Sequence, residues 1–103
     1  MPKKAKHEIV CIAQFTAKRG KEAELLRSLH KLMKPTHQEE GCVRYELNQQ
    51  IDNPRQITFV EKWANMKIFK KHCKMPYIVE FFDNVAPKLI ASQTIGLYKE
   101  ILP

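Results

Sequence analysis

Two alternating runs on either side of Asp52-Asn53-Pro54 constrain the fold of this chain more than any other feature. Val43, Tyr45 and Leu47 alternate with Arg44, Glu46 and Asn48, and Gln56 to Ala64 alternates again, so each run reads as a strand with one apolar face. Asp-Asn-Pro turns the chain back, and the runs are expected to pair as an antiparallel hairpin. Along the second run Ile57, Phe59, Glu61 and Trp63 share a face, which places a carboxyl group among rings at the strand end.

The segments around this hairpin extend the pattern. Asn65, Ile68, Phe69 and His72 follow at i, i+3, i+4 and i+7, a helical stripe that a small domain turns toward its sheet. Lys67, Lys70, Lys71 and Lys74 mark the opposite side as solvent. Met75-Pro76 disfavours helical geometry, so a second short helix is expected from Pro76 or Tyr77, with Ile78, Phe81, Phe82 and Val85 inward and Pro87 ending or bending it. Upstream, Ile9 to Thr16 is apolar on both faces, as in a central strand or one inside a closed assembly. Beyond Gly20, residues Ala23 to Met33 keep helical spacing until Pro35 stops the pattern. Thr94 to Ile101 alternates as a last strand.

The order β-α-β-β-α-α-β is that of a ferredoxin-like α+β fold, one antiparallel sheet with helices on one face. The other face is expected to carry Val10, Ile12, Val60 and Ile95 or Leu97, too apolar to meet water. A homodimer with its two sheets facing each other is the resulting expectation.

A chain of 103 residues suits a single domain, with residues 1–7 as a flexible basic start containing Lys3, Lys4 and Lys6. No apolar run reaches the ~18 residues of a membrane span and no signal-peptide pattern follows the N-terminus, so a cytoplasmic location without membrane attachment is expected. The net charge of +7 is concentrated in that start and in the lysine helix face, where solvation explains it. Cys11, Cys42 and Cys73 form no C-x-x-C pair, which argues for reduced, mostly buried thiols. His30, His37, Glu39 and Glu40 are too irregularly spaced for a metal site and read as a surface loop. With only Gly20, Gly41 and Gly96, no glycine-rich phosphate loop exists, and the aromatic strand of the common RNA-binding module is missing. No cofactor, metal or nucleic acid is therefore expected.

The hairpin GCVRYELNQQIDNPRQITFVEKW and the helix pair FKKHCKMPYIVEFF contain G-x-x-x-Y-E, E-x-W and H-x-x-x-P patterns, in that order. On these pieces the chain resembles the antibiotic biosynthesis monooxygenase family, small dimeric α+β-barrel proteins that include cofactor-free quinol monooxygenases. The likeness runs from Ile9 to Ile101. Heme-degrading relatives carry an asparagine on the first strand and a ligating histidine on the later helices. Here those places hold Ala13 and Phe81 or Phe82, so the resemblance implies a chemistry other than heme degradation.

The resemblance implies a monooxygenase that oxidises a quinol or similar electron-rich aromatic with dioxygen. His72 would be the base, Glu61 its orienting carboxylate, and Trp63, Phe59, Tyr45, Phe15 and Phe69 the walls of the substrate cavity. Taken alone, the same residues also fit plain packing, with His72 as a hydrogen-bonded core residue and Glu61 paired with a cation across the hairpin. Two other functions fit the family. One is an isomerase of a small phosphorylated carbonyl compound, with Arg44 or the lysine helix on the phosphate. The other is a non-catalytic ligand-binding or stress-response dimer.

Overall fold

The computed structural model describes residues 7–103, so the basic start at Lys3, Lys4 and Lys6 lies outside the described residues. Four antiparallel strands form one sheet in the order β2-β3-β1-β4. Strand β1 (Ile9–Ala17), apolar on both faces, lies between β3 (Asn53–Trp63) and β4 (Ile90–Tyr98), and β2 (Cys42–Gln50) forms the outer edge beyond β3. The fold is the expected ferredoxin-like α+β arrangement with helices on one face. Among the described residues no helix is long and apolar enough to cross a membrane.

The core lies between the sheet and its helices. Cys11, Ala13, Phe15 and Ala17 of β1 and Ile57, Phe59, Glu61 and Trp63 of β3 are buried on the helix side, as the period of two requires. Helix α1 (Glu22–His30) seals them with Leu25 and Leu29. It stops at His30, and a separate short helix α2 (Met33–His37) comes next, so Pro35 lies inside a helix instead of ending one. In the first turn a proline lacks only an N–H that would have no helical acceptor.

Helix α3 (Met66–Cys73) begins where Asn65 caps it, its side chain accepting from the Ile68 N–H at 2.9 Å. Asn65 thus belongs to the cap, not to the buried stripe. Helix α4 (Pro76–Glu80) starts at the expected proline. Pro87 does not end the helical run. The chain widens into a π-helical turn, Phe81–Val85, in which the Ala86 N–H reaches the Phe81 carbonyl five residues back, and Pro87 then falls in the first turn of α5 (Ala86–Leu89). Widening relieves the contact between a proline ring and the carbonyl four residues before it. Strand β4 accordingly starts at Ile90, ahead of the alternation visible from Thr94.

Register corrects three other expectations. Cys42 faces Trp63 and Arg44 faces Lys62, so Val43 is the extra residue of a bulge and is 54% exposed, outside the apolar face of β2. Ile95 and Leu97 lie opposite Ala13 and Cys11 and so belong to the helix side, exposed because the helices leave β4 uncovered. The bare face therefore has Val10, Ile12 and Val60 as its apolar centre, with Tyr98 opposite Val10, Gly96 opposite Ile12, and Gln14, Thr58 and Thr94 in the next row.

Gly41 joins the sheet to α3. Its φ of +81° suits glycine, its carbonyl accepts from the Ala64 N–H at 2.9 Å, and a Cβ there would come within 2.7 Å of the Ile68 side chain. Gly20 has a similar φ of +78° with nothing within 4 Å of a Cβ. Gly41→Ala is expected to cost roughly 1–3 kcal/mol, lowering Tm by about 10 °C, and Gly20→Ala about 1 kcal/mol. Equal losses in thermal melts would remove the packing part of this argument.

Candidate active site

The polar centre of the interior forms where β3, α3 and the turn before β2 meet. His72, at the last turn of α3, is only 4% exposed, and its Nδ1 lies 3.0 and 3.2 Å from the two carboxylate oxygens of Glu39. The Tyr77 hydroxyl donates to the same carboxylate. On its other side the imidazole lies over Trp63, ring centroids 4.3 Å apart and planes inclined by 32°. Tyr45 meets His72 at 5.7 Å and stacks on Phe59 at 4.3 Å. The fully buried Thr36 hydroxyl lacks a hydrogen-bond partner among the described residues.

Glu61 does not orient His72. Its carboxylate accepts from the Trp63 indole N–H at 2.9 Å, while Glu39 holds the histidine. Register explains the exchange: Cys42 opposite Trp63 and the Gly41–Ala64 hydrogen bond bring the turn carrying Glu39 to the start of α3. Glu39 is accordingly no surface-loop residue, with its side chain only 9% exposed. Hairpin pairing was the available signal for it, since counting back from the Asp52-Asn53-Pro54 turn sets residues 39–41 beside Asn65. Tyr77 had no comparable signal, because its position depends on how α4 leaves Pro76.

A cavity of about 60 Å³ lies beside this cluster. His72, Glu61, Tyr45, Phe59, Phe69 and Phe15 all line it, Phe15 at the far end against Phe81 and Phe82. Trp63 does not reach it and instead backs His72 and Glu61. The space holds about two waters and is smaller than the ~150 Å³ an apolar cavity needs to admit benzene. A bound ring therefore requires side chains to move. Cys73 also lines the cavity although the residue is exposed, and Cys42 is half-buried, so only Cys11 is the enclosed thiol expected.

The model of the antibiotic biosynthesis monooxygenase family matches residues 8–84. The chain belongs to that family. Protein SO0527 of Shewanella oneidensis is 41% identical, with 89% of each chain covered and a TM-score of 0.88. PA3566 of Pseudomonas aeruginosa, 23% identical over 93% of this chain and 96% of its own, has the same fold at a TM-score of 0.88. Protein sll1783 of Synechocystis sp. is 26% identical over 97 residues, and the aligned part spans 66% of that relative's length. Glu39, Glu61, Trp63, His72 and Tyr77 all fall inside the family match, whereas α5 and β4 lie beyond it.

Burial governs the charge states of this family member's site. It pushes the Glu61 carboxyl up to about 7, against the hydrogen bonds from Trp63 and Cys11, and the Glu39 charge adds to the rise. It lowers the His72 pKa, while the hydrogen bond and charge of Glu39 pull the other way. Burial raises the Tyr45 phenol and, with the Glu39 hydrogen bond, moves Tyr77 up to about 12. Around neutral pH the imidazole is thus a neutral base beside a carboxyl group able to hold a proton.

These shifts act oppositely on stability. Glu61 binds its proton more tightly folded than unfolded, so its contribution is complete below its ordinary value of 4.5 and is lost as pH rises through about 7. His72 binds its proton less tightly when folded, so its contribution is complete above 6.5 and is lost as pH falls through its lowered value. Glu61→Gln should remove the alkaline loss, roughly 3 kcal/mol, and melt on the order of 10–20 °C above the wild type at about pH 8.5 but level with it near pH 4. Parallel melting curves across this range would contradict the raised Glu61 pKa.

Proposed function

We propose that this chain is a cofactor-independent monooxygenase that oxidises a quinol, or a similarly electron-rich aromatic, with dioxygen. The observation that carries the reading is a neutral, buried His72 held through Nδ1 by Glu39 beside an aromatic-lined cavity. With Nδ1 bonded to Glu39, Nε2 carries the lone pair, and no described side chain hydrogen bonds to it. A quinol hydroxyl that reaches Nε2 loses its proton there, and the electron-rich anion passes an electron to dioxygen. In the net reaction one oxygen atom enters the ring and the other leaves as water, with the quinol supplying the two hydrogens. Exclusion of water by Phe15, Phe59 and Phe69 protects the anion and the reduced oxygen.

Glu39 takes the positioning role expected of Glu61. It sets the tautomer and stabilises the imidazolium formed on proton transfer, and Tyr77 steadies the carboxylate. Glu61, protonated up to about pH 7, serves as a donor toward a substrate oxygen.

The phosphorylated-carbonyl isomerase fits less well. Among the described residues no lysine or arginine lines the cavity, Arg44 pairs with Glu46 on the other side of the sheet, and the α3 lysines are exposed. We further propose that two copies pair through the bare sheet face, whose centre is Val10, Ile12 and Val60.

Oxygen uptake with 2-methyl-1,4-naphthoquinol tests the oxygenase. His72→Ala should lower kcat about 100-fold or more with the secondary structure intact, and Glu39→Gln should lower it on the order of tenfold. The wild-type rate should fall as pH drops below the ordinary imidazole range and, as Glu61 loses the proton it donates, again as pH rises through about 7. Retained turnover in His72→Ala would overturn the assignment.

A further inference from the structure

The cavity beside His72 is too small for the ring just assigned to it, and Phe82 is where it can enlarge. Phe82 lines the 60 Å³ inner cavity and also a second, open groove of about 260 Å³ formed with Ala86, Pro87, Ile90, Ala91, Ser92 and Gln93. This side chain borders both spaces. Gln93 borders the outer space, and Ile95, two residues along the same face of β4, borders the inner one. With the ring swung aside they reach the lower end of the ~300–1,000 Å³ usual for small-molecule sites.

Phe82 is also freer to move than its neighbour Phe81. Phe81 is 3% exposed and packed edge-on against Phe15, whereas Phe82 is half-buried, with Phe81 at 5.1 Å and Phe15 at 6.2 Å. Its backbone lies in the π-helical turn, a geometry that in proteins is concentrated at functional sites. Among the described residues, apart from Glu61 and His72 in the inner cavity, neither space is lined by an ionisable side chain other than the Cys11 and Cys73 thiols and the Tyr45 phenol. The outer groove is apolar along Ala86, Pro87, Ile90 and Ala91 and turns polar at Ser92 and Gln93. The Lys18 ammonium fastens its wall by donating to the Pro87 carbonyl at 2.8 Å.

We propose that Phe82 is a movable partition and that the groove beyond it is a subsite for an uncharged hydrocarbon tail on the aromatic substrate. The ring then occupies the inner cavity against Tyr45 and Phe59, and the tail leaves past Phe82 along Ala86 and Ala91. This rests on the quinol reading of the inner cavity and adds to it the class of substrate, a ring bearing an apolar chain.

Quenching of Trp63, the single tryptophan, reads binding without turnover. The probes are 2-methyl-1,4-naphthoquinone and the same ring carrying a five-carbon prenyl tail. The tailed quinone is expected to bind at least about tenfold more tightly, given ~0.8 kcal/mol per fully buried methylene and a groove open on one side. Ala91→Phe, at an exposed position in the groove, should abolish that advantage and leave the tail-free Kd unchanged. Phe82→Ala should speed association of the tail-free ring on the order of tenfold by removing the partition. Equal affinity of the two quinones, or equal weakening of both by Ala91→Phe, would overturn the subsite even if the tail-free quinol is turned over. A tail-dependent Kd without oxygen uptake would instead support the subsite and overturn the oxygenase. If neither quinone binds, both fall.

Discussion

The hydrogen bond between His72 and Glu39 is the interaction on which the arrangement of this molecule turns. An imidazole sealed against an indole has lost its water, and an unpartnered nitrogen there would cost about 1–3 kcal/mol. Glu39 removes that penalty, but only if the turn before β2 comes up to the end of α3. Three features bring it there: the bulge at Val43, the positive φ of Gly41, and the absence of a Cβ at Gly41 where Ile68 packs. The Asn65 cap then fixes where α3 starts and so which residue of its stripe faces Trp63. Local backbone chemistry at residues 41 and 65 thereby decides the partner of a side chain seven residues farther along.

A second consequence is the separation of two carboxyl groups by role. Glu39 has a cationic partner whenever His72 takes a proton, and a phenol donates to it besides. Glu61 has the Trp63 indole N–H and the Cys11 thiol, both neutral, so desolvation dominates and its carboxyl keeps a proton to about pH 7. One carboxylate is bonded to an imidazole and the other group keeps its proton to about pH 7, although both lie within the same small interior.

The sheet, its order and the face carrying Phe59, Glu61 and Trp63 were legible in the sequence, because strand alternation is a local signal that tertiary packing reinforces. The helix stripe with His72 was legible for the same reason. The features that were not legible need geometry beyond periodicity. A one-residue bulge turned Val43 out of the apolar face without altering the pattern around it. Ile95 and Leu97 alternate correctly, but the side they occupy depends on pairing with β1, and their exposure depends on helices that stop short of β4. The partner of Glu61 differs from the expected one because proximity in sequence to Trp63 and His72 cannot say which of two carboxyl groups reaches the imidazole. Glu39 comes from 33 residues upstream of His72.

Pro87 accounts for the last departure from local pattern. A proline after a helical run normally ends it, and the expectation of a stop there was sound as a local rule. The chain instead absorbs the proline by widening one turn, which keeps the run going to Leu89 and leaves Phe81 and Phe82 on the widened segment. An ordinary helix through residues 81–85 would close its own i→i−4 ladder and present these two rings at regular spacing. The π turn gives up some of that regularity at Phe82, the side chain that borders both the interior cavity and the surface groove. A departure from local helical preference is most readily tolerated where the native state must retain freedom to rearrange, and a site with room for two waters must rearrange before it can hold an aromatic ring.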